Sequence, residues 1–234
     1  MFSAFGLEYI IGNKFKYMGR SKNGVLGSVN GKIANVVFYE LNGQDVVRSN
    51  PGQYKIVSPA LKADQKGMAL IINFLSKVKP FIKAGFKNEA RGTIYNYHNL
   101  AVSYNKLNAI RKTSNGPEIV FENISLSRGS ALSAENPQVS VIQNDLIFSW
   151  SANSAFTYNQ SKDQVMMLAY FPAINEAIFN IAGNVRQMGT DSLFIPDAFK
   201  KFEAHCYISF VSEDREHVSN SLYLGFFHFN SIHI

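Results

Sequence analysis

A chain of 234 residues, 46% hydrophobic and 17% charged, can bury a full core without staples, and its single cysteine, Cys206, excludes an intramolecular disulfide. The net charge of +6 hides a division: residues 1–117 carry 17 Lys/Arg against 5 Asp/Glu, a balance of +12, whereas residues 118–234 carry 6 against 12, a balance of −6. Such asymmetry predicts that the two halves meet different surroundings: nucleic acid, an acidic partner, or each other head to tail.

The opening stretch MFSAFGLEYIIGNKFK is apolar but has no basic start, is interrupted by Glu8, and shows no small-residue cleavage site. No signal peptide is expected. No run reaches the roughly 18 apolar residues of a spanning helix, so a cytoplasmic or particle-assembled protein without a membrane span is the expectation. From Gly24, apolar runs at Ile33–Tyr39 and Val46–Val47 flank Asn42-Gly43. That pair suits a type I′ turn, whose central residues both need positive φ, and predicts a hairpin near 32–49 with strands near 32–41 and 44–49.

Ser58-Pro59 supplies an N-cap hydroxyl followed by proline in the first turn, which predicts a helix over about 59–86. Leu70, Ile71, Phe74, Leu75, Val78, Phe81, Ile82 and Phe86 recur at helical spacing, and Pro80 is expected to kink or split the element. A second helix is predicted over about 92–110, with Ile94, Tyr97, Leu100, Ala101, Tyr104, Leu107 and Ala109 on its apolar side. After Pro117 the pattern changes to short runs separated by turn residues: 119–126, 139–142, 146–150, 165–171, 177–181, 192–195, 205–211 and 218–227. This rhythm predicts an antiparallel β-sandwich over 118–234, with Phe148 and Trp150 facing inward and Ser149 and Ser151 outward. The fold class is therefore read as α+β: a basic hairpin-and-helix region over 1–117, then an acidic sandwich.

The segments GKIANVVFYELNGQDVVRSNP, SPA at a helix start, SLSRGSAL and FVSEDREHVSNSLYLG together resemble an uncharacterised bacterial family of unknown function, over roughly 24–225. The resemblance implies a small N-terminal α+β part followed by a C-terminal sandwich of the fibronectin type III or immunoglobulin-like kind. It implies no activity. The chain departs from the family's pattern at Leu61 and Gln65, where the family usually carries glutamine and arginine, and both ends look like additions.

No motif carries catalysis. The glycines at 24, 27 and 31 are not followed by the Lys-Ser/Thr of a phosphate-cradling loop. His205 and Cys206 are adjacent in a strand and so point to opposite faces. His228 and His233 have no metal-ligand spacing, and Glu213, Asp214 and Glu216 fall in a turn. No enzyme, metal or cofactor is expected. Arg48, before a proline turn, and Lys77, Lys79, Lys83 and Lys87, along the first helical region, are the candidate contacts for an anion or nucleic acid; pinning a loop and forming a solvated helix face are the competing roles. The tyrosines at 95, 97 and 104 suit base stacking or core packing. Phe226, Phe227, Phe229 and Ile232 in the apolar tail are the candidate interface, with cover for the basic half's own core as the alternative. The expected function is that of a non-enzymatic structural or interaction protein, associating with copies or protein partners in a virion- or tail-like assembly. A nucleic-acid-binding accessory role through the basic half is the second expectation.

Overall fold

The described N-terminal residues form an antiparallel meander of β1 (Gly19–Ser21), β2 (Val29–Ile33), β3 (Val36–Leu41) and β4 (Gln44–Ser49), paired in that order. Leu41 pairs with Gln44 and Gly43 has φ +79°, as the Asn-Gly turn requires. The strand expected over 32–41 is instead broken at Ala34-Asn35. Ile33 pairs with Val36 across that turn, and Ala34 sits at φ +50°. Alanine gives no sequence warning of a positive φ, which is why the break escaped the pattern. The computed structural model describes residues 19–21, 27–41, 43–50, 58–142, 145–152 and 156–229. The chain divides into two units, Met1–Val57 and Ser58–Ile234. The fold boundary therefore lies at 57/58, not at the charge boundary near 117, because the helices share their core with the later strands.

In the second unit, Ser58 Oγ accepts from Leu61 N at 3.2 Å and opens α1 (Pro59–Lys77). Pro80 does split the predicted helix: α1 stops before Val78, and α2 (Lys79–Ala90) restarts with the proline in its first turn. The next helix, α3 (Tyr97–Asn108), begins later than 92 because Asn96 caps it, accepting from Asn99 N at 2.8 Å. Ile110 does not continue the helix. It starts β5 (Ile110–Thr113), paired with β6 (Gly116–Ile119). The strand expected over 119–126 is absent; a 3₁₀ turn at Phe121–Asn123 leads into the Ser125–Gly129 segment.

Seven strands follow: β7 (Gln138–Ile142), β8 (Asp145–Ser149), β9 (Gln164–Phe171), β10 (Glu176–Asn180), β11 (Thr190–Leu193), β12 (Ala204–Val211) and β13 (Leu222–Phe227), with a short helix α4 (Tyr158–Ser161) before β9. They form two antiparallel sheets, β10-β9-β12-β13 and β11-β8-β7. Alternation along β9 and β12 divides their side chains between two cores. Met167, Ala169, Phe171, Cys206, Ile208 and Phe210 meet Leu146, Phe148, Trp150 and Leu193 of the smaller sheet. Met166, Leu168, Tyr170 and Tyr207 meet Ile71, Phe74, Phe81, Phe86 and Ala101 of the helices, with Phe74 edge-on to Tyr170 at 4.6 Å. The larger sheet is thus a middle layer, covered by helices on one face and by a sheet on the other, and the architecture is mixed α+β. Burying each such aromatic or branched side chain contributes roughly 1.5–3 kcal/mol, which fixes this three-layer order.

The SLSRG segment joins the layers through its backbone. Asn105, fully buried on α3, accepts from Ser125 N and donates to Ser125 O, both at 2.8 Å. Ser221 Oγ accepts from Leu126 N at 2.8 Å, and Ser127 Oγ donates to Ser219 O at 2.8 Å. Arg128 pairs with Glu89 on α2 at 2.8 Å and lies over the Tyr104 ring at 4.2 Å.

Candidate functional site

The charge division persists inside the second unit. Residues 58–112 carry 10 Lys/Arg against Asp64 and Glu89, a balance of +8, while residues 113–234 balance at −6. Lys77 pairs with Glu176 at 2.8 Å, Arg91 with Glu216 at 2.5 Å and Lys106 with Asp64 at 2.7 Å. Among the described residues, Lys62, Lys66, Lys79, Lys83, Lys87, Arg111 and Lys112 have no carboxylate within ion-pair distance, and all seven are exposed. Lys79, Lys83 and Lys87, spaced by four on α2, form one row on a helix face. Lys77 does not join them because Glu176 of β10 holds it. Arg48 lies in the other unit, exposed on β4 opposite Val37, its guanidinium carbon 6.0 Å from the Tyr39 ring centroid.

Beside the basic row, α1 and α3 leave an open apolar groove of about 690 Å³ lined by Met68, Ile72, Tyr95, His98, Val102 and Leu107. Leu107 is 78% exposed, and Leu70, Ile72 and Tyr95 are also exposed. The expectation that Leu70 and Leu107 complete the core stripes is corrected: the buried faces are Ile71-Phe74-Leu75 on α1 and Ala101-Val102-Asn105 on α3, and the next residue around each helix is exposed. Lys106, paired with Asp64, lines one end of the groove. At the other, burial and then the charge of Lys79 lower the His98 pKa, and its Nδ1 is buried with no hydrogen-bond partner among the described residues.

The tail residues separate by strand alternation. Phe226, 42% exposed, faces the helix side beside His205, 4.7 Å ring to ring. Phe227 faces the inter-sheet core, half-buried, and Phe229 is buried and stacked on Phe171 at 6.2 Å. Phe229 is therefore core rather than interface, since the period of two turns it toward the smaller sheet. Ile232 lies outside the described residues. His205 stacks on Phe121 at 4.0 Å, with its Nδ1 2.8 Å from Tyr223 Oη, and burial lowers its pKa to about 4. Burial also holds the Cys206 thiol well above its ordinary value, on the opposite face of β12.

A polar cleft of about 480 Å³ near Asp163, Glu213, Asp214 and His217 has its carboxylates engaged. Asp163 bonds Arg186, Glu213 lies 3.5 Å from Lys162, and Asp214 accepts from Ser212 Oγ and Glu216 N. Among the described residues, no group of three or more His, Cys, Asp or Glu is placed to hold a metal. No described helix is long and apolar enough to cross a membrane. Arg186, which sequence patterning did not single out, is 1% exposed, and its backbone carbonyl accepts from Trp150 Nε1 at 2.7 Å. A lone arginine between turn residues gave no signal of burial.

The profile of a family of unknown function, DUF6266, matches residues 28–225, and the chain belongs to that family. No curated protein and no solved structure matches it.

Proposed function

Proceeding from that membership, we propose that this protein is a non-enzymatic interaction module that associates with copies of itself as part of a larger assembly. The observation that carries this reading is the polarity of the second unit, residues 58–112 at +8 against residues 113–234 at −6, with an apolar groove open on the basic side. Opposite fields on one body steer copies toward each other, and an exposed apolar surface then supplies the affinity. The strand order adds support for a fibronectin type III-like sandwich. Lettered A to G from β7 to β13, the sheets run A-B-E and D-C-F-G, an arrangement that presents two faces and exposed edges for contacts. Here one face is occupied by the helices. Sedimentation velocity on the full chain tests the reading: oligomers that grow with concentration and dissociate as salt rises are expected. A monomer at every concentration and salt overturns it.

The row of Lys79, Lys83 and Lys87 favours a second reading, contact with the phosphates of a nucleic acid. Three such contacts give a slope of about −2.7 in log affinity against log salt on duplex DNA. Binding to duplex that survives replacement of all three lysines by glutamine removes this reading.

A further inference from the structure

The groove between α1 and α3 has a counterpart on the far side of the same unit. In the smaller sheet, Leu193 pairs with Leu146 and Ile142 pairs with Asp145, so the ends of all three strands lie in one row. Leu193 and Ile195 are buried, and Phe194 between them turns outward, 66% exposed. Ile142, at the other side of the row, is also exposed. Asp145 between them accepts from Ile195 N at 3.3 Å, Asp191 lies three residues before Phe194, and Asp197 lies three residues after it, paired with Lys200 at 2.6 Å. This is an apolar projection set among carboxylates, on the part of the unit that balances at −6.

Resting on the self-association proposed above, we infer that the outer end of the β11-β8-β7 sheet, with Phe194 and Ile142 at its two sides, docks into the α1/α3 groove of a second copy. The net charges complement: the groove belongs to residues 58–112, which balance at +8, although Lys106 in its lining is already paired with Asp64. The dimensions agree as well. Along α3 the lining runs from His98 to Leu107, about 14 Å at 1.5 Å per helical residue, and two strand spacings of about 4.8 Å separate Phe194 from Ile142. Groove and projection lie on opposite sides of the middle sheet, so one copy's projection and its own groove cannot meet. The contact is heterologous, and repeated docking builds a ring if the rotation closes and a filament if it does not.

Complementary variants test this in the full chain. Phe194→Ser removes the projection and leaves the groove; Leu107→Ser spoils the groove and leaves the projection; both side chains are mostly exposed, so melting points are expected to stay near that of the parent. Each variant alone is expected to sediment as a monomer where the parent forms oligomers, and an equimolar mixture is expected to stop at one-to-one dimers. Parent oligomers that persist in both variants overturn this contact while leaving self-association intact. Variants that are each monomeric but do not dimerise when mixed also overturn it. A monomeric parent overturns both readings. Should Leu107→Ser lower the melting point, Ile72→Ser from the opposite wall serves in its place with the same expected outcome.

Discussion

The guanidinium of Arg186 and the carboxylate of Asp163 meet at 3.2 Å in the interior of the second unit, with side-chain exposures of 1% and 7%. Arg186 Nη2 also donates to Leu132 O at 2.6 Å, and its carbon lies 3.7 Å above the Phe210 ring. The pair ties the loop before β7 and the loop before β11 to the start of β9. Asp163→Ala leaves a buried charge without its anion, so a loss of about 3–5 kcal/mol is expected in denaturant unfolding. Replacing both partners together, Asp163→Leu with Arg186→Met, is expected to cost less than that single change. A double variant less stable than Asp163→Ala would show that the pair contributes more than its own compensation.

Gly85 on α2 has no room for a side chain. A β-carbon there would stand 2.2 Å from Leu126 O and 2.7 Å from Ser127 Cα, both backbone atoms, while Gly85 O accepts from Arg128 N at 3.0 Å. Gly85→Ala is expected to destabilise by about 3 kcal/mol despite alanine's better helix propensity. For a unit of this size that corresponds to a melting point lower by roughly 6–12 °C. An unchanged melting point would show that the helix and the SLSRG segment separate without cost.

His205 supplies a pH dependence. Its pKa is about 4 in the fold, because burial disfavours the cation, against about 6.5 in the unfolded chain. Between those values the unfolded chain takes up a proton that the folded one refuses, so stability falls as pH drops from about 6.5 toward 4, by up to ~3 kcal/mol. His205→Phe keeps a ring against Phe121 and removes this titration. Its unfolding free energy is expected to vary less steeply with pH across that window than the parent's. Parallel profiles for the two proteins would refute the assignment.

Trp150, the sole tryptophan, is edge-on to Phe210 at 5.3 Å and nearly buried. Its fluorescence is expected to be blue-shifted in the native state and to report directly on the inter-sheet core. Trp150→Ala is expected to cost on the order of 3–5 kcal/mol. Trp150→Phe keeps much of the packing and removes one of the two hydrogen bonds to Arg186 O, with Gly189 N still donating at 3.2 Å, so it is expected to cost less, about 1 kcal/mol. An emission maximum of a water-exposed indole would contradict the packing.

Several elements were legible in the chain because their causes are local. Asn42-Gly43 specifies its turn through the positive φ of Gly43, Ser58-Pro59 starts α1, Pro80 ends it, and the alternation around Phe148 and Trp150 sets an inward face. The charge division was legible too, since it is a matter of counting. The tertiary structure decided what depends on neighbours distant in sequence. Whether an apolar helix residue is core or groove follows from which face the middle sheet covers, so Phe74 is buried while Leu107 is not. Whether the tail offers an interface follows from the register of β13 on β12, which turns Phe229 onto Phe171 and leaves Phe226 outside. The boundary between units moved to Val57 because Met166 and Tyr207 need the helices over them. Turns and caps are set by a few consecutive residues, whereas burial is set by contacts between layers that periodicity alone does not pair.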